Sequence, residues 1–235
     1  MPTPTFDGSE NRLLAGLPAA DCRRLIADRE PVQLVVDHAL IEPGDRVRDV
    51  YFPIDGFVSL IASIDPHSHL EVGLVGNEGM LGASLALGVS NSPLRALVQG
   101  PGLAWRLDAA TFRRELVRST ALRRSVNRYL YVSLGQLAQA VACTRFHFVE
   151  ARLARWLLMT RDRANSDSFR VTHEFLAYIL GVRRAGVTRA ASALQRRNLI
   201  HYRRGNVEIR DLRGLEAAAC TCYGSAKEMY ARVLS

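Results

Sequence analysis

An α+β protein is predicted: an N-terminal β-barrel of jelly-roll type, a long helix, and a small basic C-terminal domain built on helices and a hairpin. Three observations carry this. Turn signals recur about every ten residues between Pro31 and Leu107, as in small all-β domains. The hydrophobic period becomes helical from Asp108 onward. Positive charge is gathered in the last third of the chain.

The chain has 235 residues, room for one large domain or two small ones. Hydrophobic residues make up 48% and charged residues 23%, which excludes a disordered or collagen-like chain. The first dozen residues, with Pro2, Pro4, Asp7 and Glu10, form neither a basic nor an apolar leader, so no signal peptide is expected. The longest apolar stretch, Gly79 to Val89, is too short to span a membrane. No membrane partner is expected, and the cytoplasm is the default location.

An amphipathic helical segment is expected over 12–29, with Leu13, Leu14, Leu17, Leu25 and Ile26 on its apolar side. Short β-prone runs follow at Val32–Val36, Val50–Ile54, Asp55–Ile61 and His69–Val75. A Gly- and Leu-rich stretch, Gly79–Gly88, interrupts them before strands resume at Arg95 and Gly102. Asp108 is placed to cap a helix through Phe112 and Leu116. A longer helix is expected from Thr120 to Ala142, with Val126, Leu130, Leu137 and Val141 at spacings of four and seven. Gly135 inside that helix costs about 1 kcal/mol relative to Ala, and close approach of another helix is one reason for it. Another helix runs from His147 to Asp162, and 161–168 reads as a polar loop. The predicted domains are therefore 1–118, a long helix over 119–144, and 145–235.

The C-terminal domain has the pattern of a helix-turn-helix. Thr172 is a good N-cap, and Glu174 follows in the first turn, where the helix dipole favours an acid. Leu176, Ile179 and Leu180 share a face, and Gly181 can turn the chain at positive φ. Between Arg183 and Arg197, Val187, Ala190, Ala191 and Leu194 fall at i, i+3, i+4 and i+7. The opposite face carries Ala185, Thr188, Arg189, Ser192 and Arg196, with Arg183 and Arg184 at the helix start. Two short β runs then flank Arg204-Gly205-Asn206, a hairpin signal whose tip would be a basic wing carrying Arg203 and Arg204.

Charge agrees with this placement. Residues 1–144 hold 14 Arg against 15 acidic residues, while 145–213 hold 15 Arg against 6. A preference for Arg over Lys by itself would not explain that asymmetry. The helix-turn-helix, the wing and the charge together point to double-stranded DNA as the partner, with the second helix in the major groove.

The four cysteines, Cys22, Cys143, Cys220 and Cys222, form no CxxC pair and are read as free thiols, with no metal assigned. Cys220-x-Cys222 also allows a thiol switch or half a metal site, which Cys143 could join. His67 and His69 read as a solvated turn, His201 as a strand residue, and His173 as a possible DNA contact. No Walker loop, GxSxG or HExxH is present, so an enzyme is not expected.

From Leu13 to Leu215 the chain resembles the Crp/Fnr family of bacterial transcription regulators. The resemblance rests on the run Val171 to Arg189 (VTHEFLAYILGVRRAGVTR) and on Ala193 to Tyr202 (ALQRRNLIHY). Supporting it are Ile41–Asp45 (IEPGD), Val50–Gly56 (VYFPIDG) and Gly79–Gly82 (GMLG). It implies a cyclic-nucleotide-binding-like sensor domain, a dimerisation helix and a winged helix-turn-helix, with RNA polymerase as a further partner. It also implies that Arg184 and Arg189 act in base recognition and that Thr172 meets phosphate. Ala185 and Gly186 stand where many members have a base-reading Glu and a Ser or Thr, so an altered operator is expected.

The nucleotide cassette of that family carries a Glu for the ribose and an Arg for the cyclic phosphate. The matching stretch here is Gly82, Ala83 and Ser84, without a carboxylate, and Arg95 is near the expected arginine. No cofactor is evident, and a signal other than a standard cyclic nucleotide is expected. A conventional cyclic-nucleotide-gated regulator, and a scaffold of the same fold without DNA recognition, remain as alternatives. A homodimer is expected, paired through Val126, Leu130, Leu137 and Val141.

Overall fold

Pro18 divides the first helical segment. It stands in extended conformation at the N-cap of α2 (Ala19–Ala27), and α1 (Arg12–Ala15) ends before it. A proline lacks the N–H that would carry a helix through this point. The computed structural model describes residues 10–65 and 67–234. The leader through Asp7, on which no signal peptide was expected, lies outside them. Asn11 ties α1 to the sheets: its side chain accepts from the N–H groups of Leu13 and Leu14 and donates to the Pro53 and Gly79 carbonyls, both at 2.9 Å.

Seven strands follow: β1 (Glu30–Leu34), β2 (Ala39–Ile41), β3 (Asp49–Pro53), β4 (Phe57–Asp65), β5 (Ser68–Val75), β6 (Arg95–Gly100) and β7 (Gly102–Asp108). A 3₁₀ turn, Ala83–Leu87, lies between β5 and β6. The expected jelly-roll barrel takes the form of two sheets that do not close on each other, with strand orders β1-β7-β3 and β2-β6-β4-β5. β7 pairs antiparallel with β1 on one side and β3 on the other. The short β2 shifts register between Ala39 and Ile41. A three-residue strand with an irregular ladder is a poor bridge for closure.

α3 (Ala109–Arg118) begins where the Asp108 carboxylate accepts from the N–H groups of Ala110 and Thr111. α4 (Thr120–Phe146) and α5 (Val149–Ala164) follow. β8 (Ser168–Arg170) then forms within and just after the segment read as a polar loop. The C-terminal part comprises α6 (His173–Leu180), α7 (Arg184–Arg196), β9 (Ile200–Arg203), β10 (Asn206–Ile209), α8 (Leu212–Ala218) and α9 (Cys222–Leu234). No helix among the described residues is long and apolar enough to cross a membrane.

The described residues form two compact units. One holds residues 10–60, 75–134 and 230–234; the other holds 61–74 and 135–229. The core of the first gathers Leu14, Phe52, Trp105, Phe112 and Val126, with Phe52 and Phe112 edge to face at 6.3 Å. Tyr129 of α4 enters that core and donates to the Met80 carbonyl at 3.1 Å. A side chain at Gly79 would collide with its ring, so Gly79 is needed for that approach.

In the second unit, Leu153, Leu157 and Leu158 of α5 are buried, as are Leu176 and Ile179 of α6 and Val187 and Leu194 of α7. The tip of the β4–β5 hairpin belongs to this unit. Glu71 accepts from Trp156 Nε1 at 3.0 Å, and the His69 ring lies 4.3 Å from that of Tyr178. His69 is therefore packed rather than solvated, while His67 is exposed. Gly135 faces Met229 of α9, so a helix does approach there.

Candidate nucleic-acid interface

Thr172 sets the start of α6: its hydroxyl accepts from the Phe175 N–H at 3.1 Å. Gly181 ends the helix with φ 61° and ψ 42°, and the Val182 N–H returns to the Ala177 carbonyl at 3.1 Å. An L-residue with a Cβ would be strained in that left-handed conformation, so the tight turn depends on glycine. α7 then buries Val187, Ala190, Ala191 and Leu194. Its exposed residues include Arg183 at the N-cap, Arg184, Ala185, Thr188, Arg189 and Arg196, and Ser192 is half-buried.

The wing is a two-residue hairpin. Arg203 pairs with Asn206, and Arg204 and Gly205 between them have φ of 51° and 81°. Positive φ at both central positions is the turn that matches the right-handed twist of paired strands. Arg203 and Arg204 are exposed. β8 adds a third strand, in the order β8-β10-β9, and the Val171 N–H bonds to the Gly205 carbonyl at 2.7 Å. The wing turn is thereby tied to the residue before Thr172.

His173 is half-buried between these parts. Its Nδ1 lies 3.1 Å from Thr188 Oγ1, and its ring stacks on Tyr202 at 4.5 Å. Tyr202 donates through its hydroxyl to the Val171 carbonyl and through its N–H to Gln195 Oε1. His173 thus joins α6, α7 and the wing. Burial, then the neighbouring Arg184 charge, lowers its pKa below the ordinary imidazole value.

The expected effector residues lie in the first unit. Gly82 precedes the 3₁₀ turn; Ala83 and Leu85 are buried in the core and Ser84 is half-buried. Arg95 pairs with Glu42 at 3.1 Å. The four expected dimer residues fall on one face of α4 but differ in burial. Val126 is 1% exposed within the chain's own core and Leu130 packs against that core, while Leu137 is half-buried and Val141 is 60% exposed. The large apolar side chains that α4 leaves exposed are Tyr131, Leu134, Val141 and Phe146. With Ala138, also exposed, Tyr131, Leu134 and Val141 stand at alternating spacings of three and four. The four cysteines are free of disulfides and all are buried.

The second unit thus contains a winged helix-turn-helix whose exposed α7 face is rich in arginine. The Crp-like helix-turn-helix domain family matches residues 151–218. Solved structures of similar fold include the c-di-GMP-responsive global regulator CLP of Xanthomonas campestris, at 20% identity and TM-score 0.66, covering 82% of this chain and 99% of that one. A putative Crp/Fnr-family transcriptional regulator of Eubacterium rectale is 15% identical at TM-score 0.70, covering 89% and 98%. FixK2 of Bradyrhizobium japonicum is 13% identical at TM-score 0.70, covering 82% and 98%. No curated protein matches the sequence. The chain therefore has the Crp/Fnr fold and carries a Crp-like helix-turn-helix DNA-binding domain.

Proposed function

We propose that this chain is a homodimeric, sequence-specific DNA-binding transcription regulator, driven by a signal other than a standard cyclic nucleotide. The observation that carries the reading is the exposed face of α7. Arg184, Thr188 and Arg189 lie on the side opposite the buried stripe, and the Arg203–Arg204 wing stands on the strand after α7. Arginine forks suit bidentate contact with guanine in the major groove, and the wing suits phosphate. Thr172 is exposed at the N-terminus of α6, where N–H groups and the helix dipole favour an anion such as DNA phosphate.

Pairing of two copies is assigned to the α4 stripe of Tyr131, Leu134, Ala138 and Val141, whose three–four spacing is that of a coiled-coil seam. The effector part of the reading rests on Ala83, which is packed in the core with no carboxylate, and on Arg95, which is engaged by Glu42. RNA polymerase in the cytoplasm is the further partner such a regulator needs. A gel shift against genomic fragments, with a salt titration, tests the reading. Selective retention of particular fragments supports it. Uniform, weak binding to all fragments would favour a scaffold that has lost DNA recognition, a reading left open by Ala185 and Gly186.

A further inference from the structure

The end of α4 and the junction of α8 with α9 bring together side chains that DNA recognition does not use. Cys143 lies in the last turn of α4, and the His147 N–H bonds to its carbonyl at 3.1 Å. A spacing of four puts both side chains on one face. Cys220 and Cys222 flank Thr221 at the α8–α9 junction, where the Cys220 N–H meets the Ala151 carbonyl of α5 at 3.4 Å. One donor atom from each of the four residues lies within 4.8 Å of all the others. Cys143 Sγ is 3.6 Å from Cys220 Sγ, and Cys222 Sγ is 3.6 Å from His147 Nδ1.

We propose that Cys143, His147, Cys220 and Cys222 form a mononuclear zinc(II) site that clamps the end of α4 to the α8–α9 junction within the second unit. The free-thiol reading of these cysteines did not anticipate His147, which supplies the fourth ligand.

The geometry selects among the chemistries three thiols allow. A tetrahedral zinc with Zn–S near 2.3 Å sets its ligand sulfurs about 3.8 Å apart. The four donors already stand at that scale. An iron–sulfur cluster spreads its ligands over several irons and needs a wider frame. A Cys143–Cys220 disulfide requires an S–S distance of about 2.05 Å and leaves Cys222 and His147 unexplained. Three soft thiolates with one imidazole form a closed structural set, with no position left for water.

The surroundings suit the charge of such a site. Zinc(II) with three thiolates carries one net negative charge, and the three thiol protons leave to solvent on binding, with no change of oxidation state. Arg155 supplies positive charge beside all three cysteines, and its Nε has no hydrogen-bond partner among the described residues. Arg152, buried beside Cys143 and Cys220, donates to the carbonyl of Leu180, the last residue of α6.

The test is metal analysis of the full chain, purified reduced and without chelator, with cobalt(II) as the spectroscopic probe. The expected result is one zinc per chain. Cobalt should give thiolate-to-metal charge transfer and strong tetrahedral d–d bands, both abolished by zinc. Cys143→Ser and Cys222→Ser should each weaken zinc binding by more than about tenfold, while Cys22→Ser, outside the cluster, should keep it. Should a serine variant fail to fold, chelation of the unmutated chain still decides: melting should fall on zinc removal and return on zinc addition. A folded chain with no tetrahedral cobalt spectrum would overturn the proposal. So would melting unchanged by chelation, or a Cys143–Cys220 disulfide in anaerobically prepared protein.

Discussion

His173 Nδ1 lies 3.1 Å from Thr188 Oγ1, so the first residue of α6 is joined to the middle of α7. Thr188 donates its own hydroxyl hydrogen to the Arg184 carbonyl at 3.1 Å. With the Thr188 hydrogen on that carbonyl, the imidazole is assigned as the Nδ1 donor, with Nε2 unprotonated, buried and without a hydrogen-bond partner among the described residues. Protonating Nε2 would place a second cation near Arg184 in a poorly solvated position. The folded chain thus binds this proton less readily than the unfolded chain. The stability from neutral His173 is fully present above about pH 6.5, the unfolded value, and falls as pH drops toward the lowered folded value. Denaturant unfolding should show a loss of stability below about pH 6.5 that His173→Asn lacks. Coincident pH profiles for the two proteins would contradict this account.

The reading face and the wing should separate in binding assays. Arg189→Ala should cost about 1–3 kcal/mol on the preferred site and relax selection at one base position. Arg203→Ala should weaken binding to every sequence alike and reduce the salt slope by about one. Equal losses on preferred and random DNA for both variants would show that the roles are misassigned.

The divided fate of α4 gives two variants with opposite readouts. Leu134 is 65% exposed, so Leu134→Asp should leave the fold intact and yield a monomer by sedimentation. Val126 is 1% exposed, so Val126→Ala should cost about 1–2 kcal/mol of stability while the dimer persists. A dimeric Leu134→Asp protein would move the interface elsewhere.

Gly186 lies in the first turn of α7, and a methyl group there meets nothing within 4 Å. Gly186→Ala should stabilise the chain by about 0.5–1 kcal/mol, because alanine loses less backbone entropy in a helix. Thermal unfolding checks the sign; a lower melting temperature would mean that the first turn of α7 requires glycine.

In the first unit, titration with cyclic nucleotides should give no heat in the micromolar range. Arg95→Ala should cost about 1 kcal/mol, as for other half-buried ion pairs near the surface, and leave DNA affinity unchanged. Micromolar cyclic-nucleotide binding would restore the conventional effector reading.

The helix-turn-helix was legible because its signals are local. Thr172 caps, Gly181 turns, and the Val187–Leu194 stripe repeats within one helix, so neighbours along the chain carry the pattern. β8 was not legible, because three residues in a polar run become a strand only by pairing with β10. The α4 seam was legible as apolar but not in its facing. Of the residues at spacings of four and seven, Val126 and Leu130 face the chain's own core, while Val141 is exposed and falls in the stripe that begins at Tyr131. The cysteine cluster was hidden by distance, since Cys143 and Cys220 are 77 positions apart and only the fold brings them to 3.6 Å.

Selection of bound DNA from a random pool by the full chain tests the central claim most directly. The account predicts enrichment of two half-sites related by two-fold symmetry, with centres about one helical turn apart, and an altered base preference opposite Ala185 and Gly186. Recovery of no common sequence after repeated rounds, with retention that vanishes at moderate salt, would contradict it.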